Sequence, residues 1–188
     1  MSQDVFNIVK KNYPRTWTVE QVQKLVSVGK LTPDEYVLAT QRPIEDLTPS
    51  LATIKERKIG ELSVVCEETI VSGIDVTTTK GVEHFSLELT DQIEITNQYG
   101  KVTQGATEVL YHADGDGGNC RMFSAQEMTD VTIKVAEHVT YHRTYFNEIK
   151  AWVNRSTTVD EVNAITYGLA LPTDLDEHLV SLVGKSSI

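Results

Sequence analysis

A chain of 188 residues with 27 acidic and 17 basic side chains carries a net charge of −10, which disfavours nucleic acid and anionic membrane as partners, since both need a basic surface. Its 40% hydrophobic and 7% aromatic content suits one full-sized domain or two small ones, and no apolar run approaches the ~20 residues of a membrane span. The stretch MSQDVFNIVKKNYP lacks the apolar core of a signal peptide, and Cys66 and Cys120 stand in no zinc or redox spacing, so free thiols in a reducing cytoplasm are expected.

Residues 1–42 read as a small helical unit. Phe6, Ile8, Val9 and Tyr13 give an apolar face before Pro14. In WTVEQVQKLVSVGK, Thr18 and Gln21 form a capping box, Trp17 and Val22 a hydrophobic staple, and Gly29 a stop. Thr32, Pro33 and Glu35 open a third short helix carrying Tyr36. So small a unit buries little by itself, which makes it a docking module with Trp17, Val22, Leu25, Val26 and Tyr36 as candidate contacts. Residues 43–50 read as a linker with two prolines.

The α+β region expected over 51–155 opens with a long helix. Leu51, Ile54, Lys58, Leu62, Val65, Cys66 and Thr69 nearly follow a seven-residue repeat. Such a stripe either packs on its own domain or forms a coiled-coil seam between copies. IVSGIDVTT and KGVEHFSLEL alternate apolar and polar residues around a Thr-Lys-Gly turn, predicting a β-hairpin. TDQIEITNQYGKVTQG favours a helix capped by Thr90 over another strand. TEVLYHA and CRMFS predict a second hairpin. Ser124 and Glu127 then cap a helix of about thirty residues, far beyond the usual dozen. Its stripe includes Val131, Val135, His138, His142, Tyr145 and Ile149. With Leu51, Ile54, Leu62 and Val65, these are the candidate self-association residues. Residues 156–188 predict a short helix capped by Thr158 and Glu161, then one in PTDLDEHLVSLVG. The fold class expected is therefore α+β: a helical head, a long helix, two β-hairpins, a second long helix and short terminal helices.

The loop YHADGDGGNC invites a metal reading. Counted from Asp114 as a calcium loop, the sixth and twelfth places hold Asn119 and Ala125, where glycine and a bidentate glutamate are required. Asp-Gly flanked by strand residues reads instead as a hairpin turn, since glycine reaches positive φ without strain. His138 and His142 form half of a zinc site, but Val139 stands where a zincin places its catalytic glutamate. His112 and Cys120 add only a loosely spaced pair, leaving a metal-dependent hydrolase as the weakest reading. There is no GxSxG elbow and no diagnostic Cys–His offset. The expectation is a non-enzymatic protein with no metal or cofactor.

Two stretches carry a resemblance. YPRTWTVEQVQKLVSVGKLTPDEYVLAT, through Trp17, Val22, Val26, Gly29, Lys30, Leu31, Thr32, Glu35 and Tyr36, resembles the small XkdX-type proteins of phage tail modules. Residues 50–153 resemble an uncharacterised domain of tail-fibre and baseplate proteins. The matching residues are Lys58–Ile59, Cys66–Glu67, Gly73, His84–Phe85, Asp91–Gln92, Tyr111 to Gly115 and Thr144 to Asn147. The resemblance implies a virion protein that joins other tail or baseplate proteins and assembles with itself, often as a homotrimer. Its implied role is a tail-fibre adaptor or short fibre, the alternative being a receptor- or carbohydrate-binding module whose hairpin loops meet the host.

Overall fold

Helix starts follow the local chemistry closely. Thr18, Thr32, Ser124 and Thr158 each accept the backbone N–H three residues ahead, at 3.2–3.3 Å, while Gln21, Glu35, Glu127 and Glu161 reach back to the cap residue's own N–H. The computed structural model describes residues 2–43, 47 and 49–186. Positions 44–46 and 48 of the expected linker lie outside the described residues. The chain divides into two compact units, Met1–Ile54 and Lys55–Ile188.

The first unit holds α1 (Ser2–Asn12), α2 (Val19–Ser27) and α3 (Pro33–Thr40). Val9, Val22, Leu31, Tyr36 and Ala39 form its buried core, with Phe6, Trp17, Leu25 and Val26 packed around them. Gly29, with φ +69°, takes the left-handed conformation after α2 that a Cβ would disfavour.

The long helix α4 runs from Leu51 to Val71. Then come the hairpin β1 (Ile74–Thr78) and β2 (Gly81–Phe85), helix α5 (Leu89–Thr103), and the hairpin β3 (Glu108–Tyr111) and β4 (Arg121–Ser124). Helices α6 (Ala125–Arg155), α7 (Val159–Ala164) and α8 (Thr173–Ser186) complete the chain. This is the α+β arrangement expected. Helix α5 starts at Leu89, so Thr90 sits inside its first turn; Asp91 accepts the Glu88 N–H at 3.1 Å in place of a threonine cap.

Both sheets are two-stranded antiparallel ribbons, too small to stand alone. They lay their inner faces on the first half of α6. Val76, Phe85, Val109, Tyr111 and Phe123 form one core with Ile95 of α5 and with Met128, Val131 and Val135 of α6.

Helix α4 runs antiparallel to α6. Thr69 O meets His138 Nε2 at 3.2 Å, Cys66 Sγ meets His142 O at 3.4 Å, and Lys55 Nζ meets Asn154 O at 2.7 Å. Earlier positions on one helix thus pair with later ones on the other. The buried positions of α4 are Ile54, Leu62, Cys66 and Ile70, with the Lys58 side chain 15% exposed between them. They recur every four residues, a single ridge suited to ridge-into-groove packing. A supercoil seam would alternate three- and four-residue steps and bury Val65, which is 39% exposed.

Candidate functional site

The residues most densely tied by polar contacts gather where the two hairpins meet the start of α6. Glu127 is the central clamp. Thr79 donates its N–H (2.9 Å) and hydroxyl (2.7 Å) to Oε1, while Ser124 donates its N–H and hydroxyl, both at 2.9 Å, to Oε2. One carboxylate therefore joins the turn of the first hairpin, the end of the second and the first turn of α6. Burial works to raise its pKa, but these four donors outweigh it and bring the carboxyl down from 4.5 to about 2.

The loop 112–120 is a second clamp rather than a tight turn. A 3₁₀ turn at Asp114–Asp116 is followed by Gly117 and Gly118, which carry the positive φ angles; Asp114 and Gly115 do not. Asp116-Gly117 thus supplies the positive-φ glycine expected of an Asp-Gly turn, but within a longer loop that tertiary contacts hold. Asp114 accepts the N–H and hydroxyl of Ser86 at 3.1 and 2.6 Å. Desolvation opposes its ionisation, and the Ser86 hydrogen bonds overcome that to lower its pKa. Asp116 accepts Lys80 Nζ at 2.9 Å and the Ala113 N–H at 3.1 Å, and Arg121 Nε lies 3.3 Å away. The Lys80 hydrogen bond, more than any other contact, holds its carboxyl down at about 2. The Arg121 guanidinium sits 3.7 Å over the Phe123 ring and pairs with Glu83 of β2, which also receives the Thr78 hydroxyl.

Beside this clamp, His84 Nδ1 lies 2.7 Å from Asp75 Oδ1 and Nε2 lies 2.8 Å from the Ser72 carbonyl. Both partners are acceptors, so the ring satisfies both only as an imidazolium donating from each nitrogen. The Asp75 hydrogen bond, then that to Ser72, raises its pKa. Such a ring has no free nitrogen with which to act as a base. Gly73 makes the arrangement possible: at φ +95°, a Cβ there would lie 2.2 Å from Phe85 O and 2.9 Å from His84 Nε2. Gly73, His84, Phe85 and the 111–115 segment, scattered in the sequence, thus converge on one junction.

The α4–α6 seam holds the second cluster. His138 and His142 rings stand 4.5 Å apart, and His142 Nδ1 is 3.1 Å from the Tyr167 hydroxyl. Burial lowers the His142 pKa, and neighbouring His138 acts in the same direction. Tyr145 donates to Leu169 O at 2.6 Å and accepts the Gly168 N–H at 3.0 Å. A cleft of about 340 Å³ opens here between Tyr141, Tyr145, Tyr167, Leu171 and Asp176. His112 is elsewhere, stacked 5.2 Å from Tyr111, with its buried Nδ1 unpartnered. Cys120 is exposed. Among the described residues no three His, Cys, Asp or Glu side chains are placed to hold a metal ion, so His112, Cys120, His138 and His142 do not assemble into one.

Of the candidate self-association residues, Ile54, Leu62, Val131, Val135, Tyr145 and Ile149 are buried in the chain itself. Leu51, His138 and His142 are half-buried, and Val65 is exposed. Of the candidate docking residues, Val22 and Tyr36 have no exposure, and Trp17, Leu25 and Val26 are half-buried against that core. Apolar spacing found residues that pack, but it could not say whether the packing partner lay within the chain. Turn and strand signals placed Thr79, Lys80, Glu83 and Arg121 locally but not in this clamp, because their partners lie 36 to 48 residues away.

Comparison with known families gives two matches. A model described as "Domain of unknown function (DUF4376)" matches residues 53–166. One described as "Phage uncharacterised protein (Phage_XkdX)" matches residues 6–40. No curated protein and no solved structure matches the chain.

Proposed function

This chain is a phage protein of the DUF4376 family, and on that premise we propose that it is a structural, non-catalytic component of the tail or baseplate. It acts as an adaptor or short fibre, docking through its N-terminal unit and associating with other copies of itself. The observation that carries this reading is modularity. The XkdX-like match lies within the unit Met1–Ile54, and almost all of the other family match falls in the unit Lys55–Ile188. Two units, the smaller with its own core, suit a protein that links two parts of a particle.

Docking through the N-terminal unit falls to its outer apolar side chains, Ile8, Val28 and Leu38, which are 51–62% exposed. The core residues Val22 and Tyr36 support that unit without touching the partner. Among the described residues no helix is long and apolar enough to cross a membrane. The test is to purify virions of the encoding phage and locate the protein by mass spectrometry and immunogold labelling. Labelling at the tail end is expected, and absence from intact particles refutes the proposal. Self-association is checked by native mass spectrometry at micromolar concentration, where a homo-oligomer, most simply a trimer, is expected and a monomer counts against it.

The tyrosine-lined cleft favours a second reading, contact with host carbohydrate, because exposed tyrosine faces stack on sugar rings. Tyr141, 44% exposed, is the residue to test. A glycan array that is negative for the wild-type protein removes this reading.

A further inference from the structure

The two flanks of the first hairpin are unequal. Strand β2 and its flanking residues are tied to the 112–120 loop through Ser86–Asp114 and Lys80–Asp116, and to β4 through Glu83–Arg121. Among the described residues strand β1 pairs only with β2, and no strand lies beside its other edge. Along that edge run two adjoining clefts of about 310 and 440 Å³. They share Asp75 and Lys134 and so form one groove between β1 and α6.

We propose that this groove takes an extended segment of a partner protein, rich in alternating basic and apolar residues, which adds as a third strand to the edge of β1. The dimensions agree from both walls. Five strand residues, Ile74–Thr78, span roughly 17 Å. The helical wall from Asp130 to Tyr141 also spans roughly 17 Å at 1.5 Å per residue. A bare strand edge offers unpaired N–H and C=O groups along that length, as in other cases of strand addition.

The helical wall supplies side-chain recognition. Ile133 and Tyr141 are 47% and 44% exposed. Eight residues apart on the helix, they are separated by roughly 12 Å, close to the i to i+4 distance on one face of a strand. Two apolar side chains of the incoming segment therefore meet them. The charges are acidic on balance: Asp75, Asp130 and Glu137 line the groove against Lys134, which is bound to Glu137 at 3.2 Å, while Asp75 is paired with His84 at 2.7 Å. A second copy of this chain would bring the same acidic edge against itself, within a molecule of net charge −10. Charge complementarity thus selects a partner with lysine or arginine between its apolar positions.

The test uses the full chain and a fluorescein-labelled heptapeptide, Lys-Val-Lys-Val-Lys-Val-Lys, with a Glu-Val counterpart as control. Fluorescence anisotropy is expected to show saturable binding of the basic peptide alone. Binding should weaken at least tenfold in Asp130→Lys/Glu137→Lys and in Ile133→Asp, where Glu137 and Ile133 are exposed and Asp130 half-buried, and a melting curve of each variant that matches the wild type shows that the fold is kept. Hydrogen exchange should slow at amides within 74–78 on binding. Equal binding of both peptides, affinity unchanged in the variants, or no added protection in β1 overturns the proposal. A dimer in native mass spectra that Ile133→Asp dissociates overturns it as well, by giving the groove to a second copy.

Discussion

Glu127→Gln removes the charge from the carboxylate that joins both hairpins to α6 and keeps the side chain's size. In the native protein two oxygens accept four donors from Thr79 and Ser124. A glutamine has one acceptor oxygen, and its NH₂ group would confront N–H and O–H donors. Hydrogen bonds to a charged acceptor contribute about 1.5–3 kcal/mol each, and buried donors left unpaired cost about as much again. A second route gives a similar size. Holding the carboxyl at about 2 instead of 4.5 corresponds to about 3 kcal/mol at about 1.4 kcal/mol per unit, an upper bound because solvent at the rim screens part of it. The expected loss is therefore about 2–3 kcal/mol at pH 7, or roughly 6–10 °C in the melting temperature of a domain this size.

The pH dependence separates the charge from mere packing. The folded state binds this proton more weakly than the unfolded chain, so protonation favours unfolding. The stabilisation is complete above about pH 5 and disappears as pH falls from 4.5 toward 2. Urea titrations of both proteins followed by circular dichroism, at several pH values from 7 to 2.5, should show the wild-type advantage shrinking across that window. An advantage below about 0.5 kcal/mol at pH 7, or one that does not change with pH, refutes the clamp.

His84 behaves in the opposite sense. Its raised pKa means that its contribution is complete below the ordinary histidine value and is lost as pH rises through the folded one; NMR titration should show Asp75→Asn bringing the His84 pKa down, and an unmoved value would contradict the bond. Gly73→Ala places a methyl 2.2 Å from Phe85 O at φ +95° and should cost more than about 3 kcal/mol or prevent folding, so a variant with wild-type urea stability is the contrary result. On α4, Leu62→Ala should cost about 2–5 kcal/mol and Val65→Ala about 0.5 kcal/mol or less. Equal costs in urea denaturation would restore a seven-residue seam.

What could be read directly from the chain was local. The caps at Thr18, Thr32, Ser124 and Thr158 are contacts over three residues, and the left-handed stop at Gly29 depends on one. The long run of α6 and both hairpins follow from periodicity, which any stretch carries within itself. The resemblance also named Gly73, His84 and Asp114 without giving a reason to group them.

The grouping is tertiary. Asp114 reaches Ser86 across 28 residues, Asp116 reaches Lys80 across 36, and Glu127 reaches Thr79 across 48. No period or motif encodes contacts at such separations, because they exist only once both hairpins lie on α6. The same limit applied to the apolar stripes. Leu62, Val131 and Ile149 announced a buried face, and amphipathicity is blind to whether the covering surface belongs to the same chain. By itself the sequence determined which segments are helix or strand and which faces avoid water. The tertiary structure decided what covers them, made the 112–120 loop a clamp, and gave β1 only β2 as a strand neighbour among the described residues.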